Sequence, residues 1–192
     1  MKSIKFGAML VVTMLVTACA AGVNFVKPAD NQLVLGSTTK NQIIVLMGEP
    51  NGKGQKVSNG EDLDIISYAY AKADDEAVFE GVTPARSVAF LFHKNVLVGK
   101  EFTSSFKSDS TYFDPQKAKS VKKGMKKQDV VALLGKAGGE YRYPVISNKN
   151  GKALVYIFVQ TKGFKSQQNI LTVELNEKDI VQKSEFNQVG QL

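Results

Sequence analysis

Apolar residues recur at helical spacing in two stretches of this chain and alternate at strand spacing through much of the rest. In Thr39-Lys-Asn-Gln-Ile-Ile-Val-Leu-Met-Gly48, the residues Ile43, Leu46 and Met47 fall at i, i+3 and i+4. Val130, Leu133 and Leu134 do the same in Lys126-Lys-Gln-Asp-Val-Val-Ala-Leu-Leu-Gly135. Such a stripe lets a helix lay one side on a sheet. The two stretches lie 87 positions apart, and each stops at a glycine. The segments downstream are also alike: Leu63 to Tyr70 and Ser87 to Val98 after the first, Ala153 to Gln160 and Ile170 to Gln182 after the second. A helix-plus-strands signature repeated at a fixed offset predicts a tandem of one small unit. The expected class is α+β, with two units, each of two short helices packed on an antiparallel sheet of three or four strands.

Local signals place the boundaries. Asp30 is a candidate N-cap for a short turn, and Thr39 with Gln42 has the spacing of a capping box. Gly48 and Pro50 stop the first helix. Asn51 to Gly60 is polar and glycine-rich and reads as a loop, and residues 71–84 read as a long excursion. His93-Lys-Asn95 reads as the turn of a hairpin. Asp114-Pro115 is a helix start, a carboxylate cap followed by a proline whose missing donor does no harm. Lys126 stands where Thr39 stood and cannot accept a hydrogen bond, which weakens the second cap by about 1 kcal/mol, although Asp129 keeps the acidic place of the box. Ala153 to Gln160 is apolar on both faces, as in a covered central strand. Thr161 to Gln168 is polar and reads as flexible. The resulting division is 28–106 for the first unit, 107–113 for a linker, 114–183 for the second unit and 184–192 for a polar tail.

The first residues read as an export signal: Lys2 and Lys5 precede a nearly continuous apolar run from Phe6 to Val16. The run is shorter than the roughly 20 residues a bilayer span needs. Cys19 is the one cysteine, so it has no disulfide partner in the chain. Val16-Thr17-Ala18-Cys19 resembles the lipobox of bacterial lipoproteins, the alternative being an ordinary apolar residue inside the signal. The resemblance implies removal of 1–18, acylation of Cys19 and a tether over 19–27. Several acyl chains at about 0.8 kcal/mol per buried CH₂ would hold stably. Ala20, standing where inner-membrane lipoproteins usually carry Asp, implies an outer-membrane, periplasm-facing location.

Charge changes the picture only in combination with export. The chain carries 25 basic and 18 acidic residues, a net +7. Such a balance suggests nucleic acid. Export excludes that partner and leaves anionic head groups or an acidic protein.

Catalytic chemistry needs a converging acid, base or nucleophile. His93 is the sole histidine and falls in a turn. Asp74-Asp-Glu76 lacks the surrounding ligand spacing of a calcium loop. Gly48-Glu-Pro-Asn-Gly-Lys53 has the wrong spacing for a phosphate loop. With Cys19 in the anchor, no thiol remains. A non-enzymatic chain without cofactor or metal is expected. Two groups are candidates for contact with a partner. Lys117, Lys119, Lys122, Lys123, Lys126 and Lys127 form a basic run that is either a solvated helical face or a contact to head groups or an acidic partner. Tyr68, Tyr70, Tyr156 and Phe158 are either core residues or an aromatic sheet face that binds protein.

Gly124-Met-Lys-Lys-Gln-Asp-Val130-Val-Ala-Leu133-Leu134-Gly135 and the looser Ser37-Thr-Thr-Lys-Asn-Gln-Ile43-Ile-Val-Leu46-Met47-Gly48-Glu-Pro50 resemble the SmpA/OmlA family of small outer-membrane lipoproteins, which includes BamE-like components of the β-barrel assembly machine. The resemblance implies helices packed on a three-stranded antiparallel sheet and a role as a protein-interaction module in envelope or outer-membrane protein assembly. A tandem of that unit is also similar to the architecture of the secreted β-lactamase inhibitor proteins. That second likeness implies an inhibitor or sequestering protein with a concave sheet surface. Where the family pattern has Trp-x-Tyr, this chain has Tyr68-Ala-Tyr70 and Tyr156-Ile-Phe158. No binding residue is carried across from either family.

Overall fold

Positive backbone angles at a few turn positions set the order of the strands. The computed structural model describes residues 20–192, so Cys19 and the export signal lie outside the described residues. Asn59 and Gly60 (φ 50° and 79°) and Lys94 and Asn95 (φ 48° and 69°) supply the paired left-handed residues of tight hairpins, and Gly163 (φ 60°) opens a third. These turns join β2 (Gly52–Ser58) to β3 (Glu61–Lys72), β4 (Ala85–His93) to β5 (Val96–Ser104), and β7 (Lys152–Lys162) to β8 (Lys165–Leu175). Short strands β1 (Ala20–Gly22) and β6 (Gly139–Tyr141) and the last strand β9 (Val181–Gly190) complete the set. All nine belong to one antiparallel sheet in the order β1-β3-β4-β5-β6-β7-β8-β9, with β2 also paired to β3.

This overturns the α+β expectation of two units, each with two short helices packed on a three- or four-stranded sheet. Among the described residues the helical elements are a 3-10 turn (Asp30–Gln32), α1 (Lys40–Met47), α2 (Pro115–Lys119) and α3 (Lys127–Leu134). The first half therefore has one α-helix, and the architecture is a mostly-β sheet with short helices on one face. The sheets fuse because β5 and β6 pair edge to edge, Gly99 with Tyr141, Lys100 with Glu140 and Glu101 with Gly139.

Several segments read as irregular are strands. Asn51 to Gly60 is mostly β2, 19–27 begins with β1, residues 184–190 of the polar tail belong to β9, and Lys165 to Gln168 opens β8. In each case the ladder is made by backbone groups, and mainly exposed, polar side chains leave no apolar alternation to read. The linker 107–113 is likewise built in: Phe113 is buried in the core and the Thr111 hydroxyl donates to the Ile157 carbonyl at 2.7 Å. His93 ends β4 rather than lying in its turn, with Nε2 3.6 Å from Glu61.

The repeat survives inside the single sheet. Ile43 and Val130 occupy equivalent places in α1 and α3, both fully buried. Tyr68 donates to the carbonyl of Gly48 at 2.7 Å and Tyr156 to that of Gly135 at 3.1 Å, so each half ties a helix end to its central strand in the same way. Lys40 N–H donates to Asn95 O and Lys127 N–H to Asp179 O, fastening each helix start to the following hairpin. Thr39 and Gln42 form the complete capping box, whereas at Lys126 only the backbone N–H is bonded, to Asp129. Leu46 departs from the predicted stripe: it is 44% exposed, and Ile44 and Met47 pack beside Ile43 in its place.

The two faces of the sheet differ. Beneath the helices lie two clusters, one around Phe90, Phe92 and Tyr68 and one around Tyr156, Phe158 and Leu171. On the other face a smaller cluster of Leu63, Leu91 and Val98 is flanked by Tyr141 and Val145. The connection after β6 is fastened there, since Ser58 and Asn59 donate to Pro144 O at 2.9 and 2.8 Å. The rest of that face is not capped in this way.

The seam between the halves depends on close backbone approach. A Cβ on Gly138 would lie 2.4 Å from Phe102 O, and one on Gly139 would lie 2.3 Å from Lys100 O. Both neighbours are backbone atoms and cannot swing aside. We therefore expect Gly139→Ala to lower stability by about 1–3 kcal/mol, as forced overpacking does. Gly54→Ala, where an added Cβ meets nothing within 4 Å, should stay within about 0.5 kcal/mol. Urea unfolding of both variants reads the difference, and equal effects would show that the seam tolerates a side chain.

Candidate functional site

The uncapped part of the second sheet face is lined by small side chains because aromatic and small residues alternate along the strands. Tyr68 and Tyr70 of β3 point to the helix side, which places Ser67, Ala69 and Ala71 on the opposite face. Register then brings Ala69 beside Ser87, Ala71 beside Ala85, and Ser87 beside Thr103. The result is an open trough of about 520 Å³ running from β1 and Asn51 across β3, β4 and β5 to Val159 and Thr161 of β7. At its near edge the Asn51 side chain bonds both backbone groups of Ala69 at 3.0 Å, filling the rung between β1 and β2. At its far edge Val159 N–H donates to Thr103 Oγ1 at 3.3 Å and Thr83 N–H to Thr161 O at 2.8 Å.

The polar groups of this surface are few in kind. Arg86 is the one charged residue in the lining. Its guanidinium is already engaged, by Asp109 at 2.9 Å and by Asn24, and it lies within 5.3–5.8 Å of the rings of Phe25, Tyr70 and Phe106. The remaining polar side chains are hydroxyls and the Asn51 amide, with no carboxylate or imidazole to act as a base. Among the described residues no group of three or more His, Cys, Asp or Glu is placed to hold a metal ion, and no helix is long and apolar enough to cross a membrane.

Of the two readings of the aromatic residues, core or exposed sheet face, the structure has them in the core. Tyr68, Tyr156 and Phe158 are 5%, 2% and 0% exposed, and Tyr70 is half-buried and stacked on Phe106 at 5.9 Å. They belong to the cores under the helices because the helix-end carbonyls take the Tyr68 and Tyr156 hydroxyls. Burial pushes the Tyr156 phenol up to about 12. The small residues alternating with Tyr68 and Tyr70, namely Ser67, Ala69 and Ala71, were the signal for the open face. Of the basic run, Lys117, Lys119, Lys122, Lys123 and Lys126 are exposed over α2, the turn after it and the start of α3, with Lys119 lying 5.8 Å from the Phe186 ring.

Lys127 alone of that run reaches a second concavity, on the helix side at the joint of the halves. This cleft of about 350 Å³ is also lined by Asp30, Lys100, Lys136, Glu140 and Arg142. Asp30 receives Lys136 Nζ at 2.7 Å on one oxygen and Lys100 Nζ at 3.2 Å on the other. It thus ties the 3-10 turn to β5 and to the loop after α3. Burial lowers the Lys27 pKa, with help from the Lys136 and Lys100 charges and against the pull of Asp30.

No family model and no curated protein matches the chain. The SmpA/OmlA resemblance therefore stands on its motif residues alone. Among solved structures the fold is similar to that of a Streptococcus mutans protein described as a "putative beta-lactamase inhibitor protein", with a TM-score of 0.42 and 16% identity, covering 79% of this chain and 83% of that one. A likeness of that size assigns no partner or activity to this chain.

The Asp30 cluster makes a pH-dependent contribution. The hydrogen bond from Lys136, reinforced by Lys100 and opposed by burial, lowers the Asp30 pKa from 3.8 to about 2. A depressed carboxylate stabilises the fold above its unfolded value and loses that contribution as pH falls through the folded value. The window is therefore from about pH 4 down to about pH 2. The carboxylate is 45% exposed, so screening holds the effect to about 1 kcal/mol or less. Asp30→Asn should lower the urea midpoint at pH 7 and converge on the parent below pH 2. A parallel offset at every pH would mean that the charge contributes nothing.

Proposed function

We propose that this chain is a non-catalytic protein-binding module, tethered to a membrane through Cys19, whose docking surface is the open trough. The observation that carries this reading is the composition of that surface: small apolar and hydroxyl side chains on an unbroken sheet, with its one cation already paired. Such a surface takes a protruding, bulky side chain from a protein and offers hydroxyls to the backbone around it. Interfaces of this kind draw most of their affinity from a few buried aromatic or aliphatic anchors.

The lipobox and Ala20 support an outer-membrane, periplasm-facing location, where the favoured role is assistance in envelope or outer-membrane protein assembly. A second reading, inhibition or sequestration of a hydrolase, is favoured by the continuity of the sheet through β5 and β6. That pairing offers one broad face in place of two small ones.

Three measurements test these statements. Mass spectrometry of the membrane-extracted protein should find a triacylated peptide beginning at Cys19, and an unmodified Cys19 would sink the anchor. A photocrosslinking residue at Ser87 should capture a protein partner in intact cells, and Ala69→Trp should abolish that capture by filling the trough. Capture that survives Ala69→Trp places the partner elsewhere. Assembly components among the adducts support the first role, and a periplasmic hydrolase whose turnover falls on binding replaces it with the second.

A further inference from the structure

The tip of the β7–β8 hairpin carries two features that its fold does not require. Its two-residue loop is Gly163-Phe164, and the turn geometry calls for glycine at the first place only. Phe164 is 110% exposed, the most exposed large apolar residue described. Burying a Phe side chain stabilises a fold by removing apolar surface from water, and this one forgoes that gain. On either side of the loop, Lys162 and Lys165 are register partners and both are exposed, and like charges directly opposite on a ladder are destabilising. An aromatic ring and two cations are thus concentrated where neither packing nor pairing accounts for them.

The location of the tip is the second observation. Ala20 pairs with Lys72 at the end of β3, so a chain arriving from Cys19 enters at that end of the sheet. Antiparallel order puts the end of β3, the start of β4 and the ends of β5 and β7 at the same side. The crossing between β3 and β4 connects them directly, through Thr83 N–H to Thr161 O and through Gly81 lying against the Lys162 side chain. The acidic residues of that crossing are largely met locally. Lys72 lies 3.8 and 3.7 Å from Asp74 and Asp75, Lys107 lies 2.9 Å from Glu76, and Glu80 is exposed.

We propose that this hairpin tip is a membrane contact, with Phe164 set into the interfacial layer of an anionic bilayer and Lys162 and Lys165 against its head groups. The geometry suits an interface on which aromatic rings settle at head-group depth and each nearby lysine adds attraction to anionic lipid. The inference rests on the Cys19 anchor for the bilayer being present at that end. With both contacts made, the end of the sheet is held at the surface by two points, and the trough, whose near wall includes Ala21 and Gly22, opens close to the membrane.

The chain contains no tryptophan, so Phe164→Trp gives a single reporter. The full chain carrying it, with Cys19 intact or as Cys19→Ser, would be mixed with vesicles of phosphatidylglycerol or of phosphatidylcholine containing brominated lipid. Quenching and a blue shift of the introduced indole on phosphatidylglycerol are expected for both forms. In the Cys19→Ser form, Lys162→Gln with Lys165→Gln should weaken vesicle binding roughly thirty-fold, with unchanged unfolding midpoints. A chain anchored by acylated Cys19 whose indole stays unquenched overturns the contact and leaves the anchor standing. With Cys19 intact, quenching in a membrane-extracted chain whose Cys19 is unmodified overturns the anchor and supports the contact. An indole shift that appears with soluble periplasmic protein and not with vesicles replaces the lipid surface by a protein.

Discussion

A three-residue strand that starts at a glycine pair holds the whole arrangement together. At Gly138 and Gly139 the chain comes so near to the carbonyls of Phe102 and Lys100 that a methyl group would overlap them. That approach lets β6 pair with β5 on one side and with β7 on the other, and turns two sheet fragments into one sheet. The seam is reinforced from both faces. Tyr141 donates to Glu101 across it, and Phe79 of the β3–β4 crossing packs edge-on against Tyr112 at 4.9 Å and Phe158 at 6.0 Å. Without the pairing, each half would expose a sheet edge, which invites association with other chains.

The asymmetry between faces follows from what each half can cover. The aromatic face is covered by α1 in the first half and by α2 and α3 in the second, α1 and α3 each being fastened at the start to a hairpin and at the end to a tyrosine. The opposite face has only the connection after β6 to shield it, and that connection is tied to the β2–β3 turn. The part left open is the one bearing Ala69, Ala71, Ala85 and Ser87, residues too small to form a core.

Charge is organised around the same joint. Asp30 takes two lysines from different elements and bridges the halves on the helix side, so its carboxylate is held charged well below the usual range. The lysines of α2 and α3, apart from Lys127, are solvated. Among the described residues these lysines put positive charge on the exposed surface.

What the sequence determined by itself was local. The capping box at Thr39, the carboxylate cap at Asp114 and the glycine stops at Gly48 and Gly135 rest on interactions within a few residues, and the helical spacing around Ile43 and Val130 marked which side of each helix would be buried. Asn59-Gly60 was an equally local hairpin signal and would have revealed β2. Tertiary structure alone decided that the halves share one sheet, that 20–22 and 184–190 are strands, that Tyr68, Tyr156 and Phe158 lie beneath helices, and that the small residues between the aromatics form an open face. Edge pairing is made between backbone groups, which every residue but proline carries, so side-chain pattern does not record it. Which face of a two-sided strand is covered depends on where distant helices and loops come to rest, and no periodicity along a single strand contains that information.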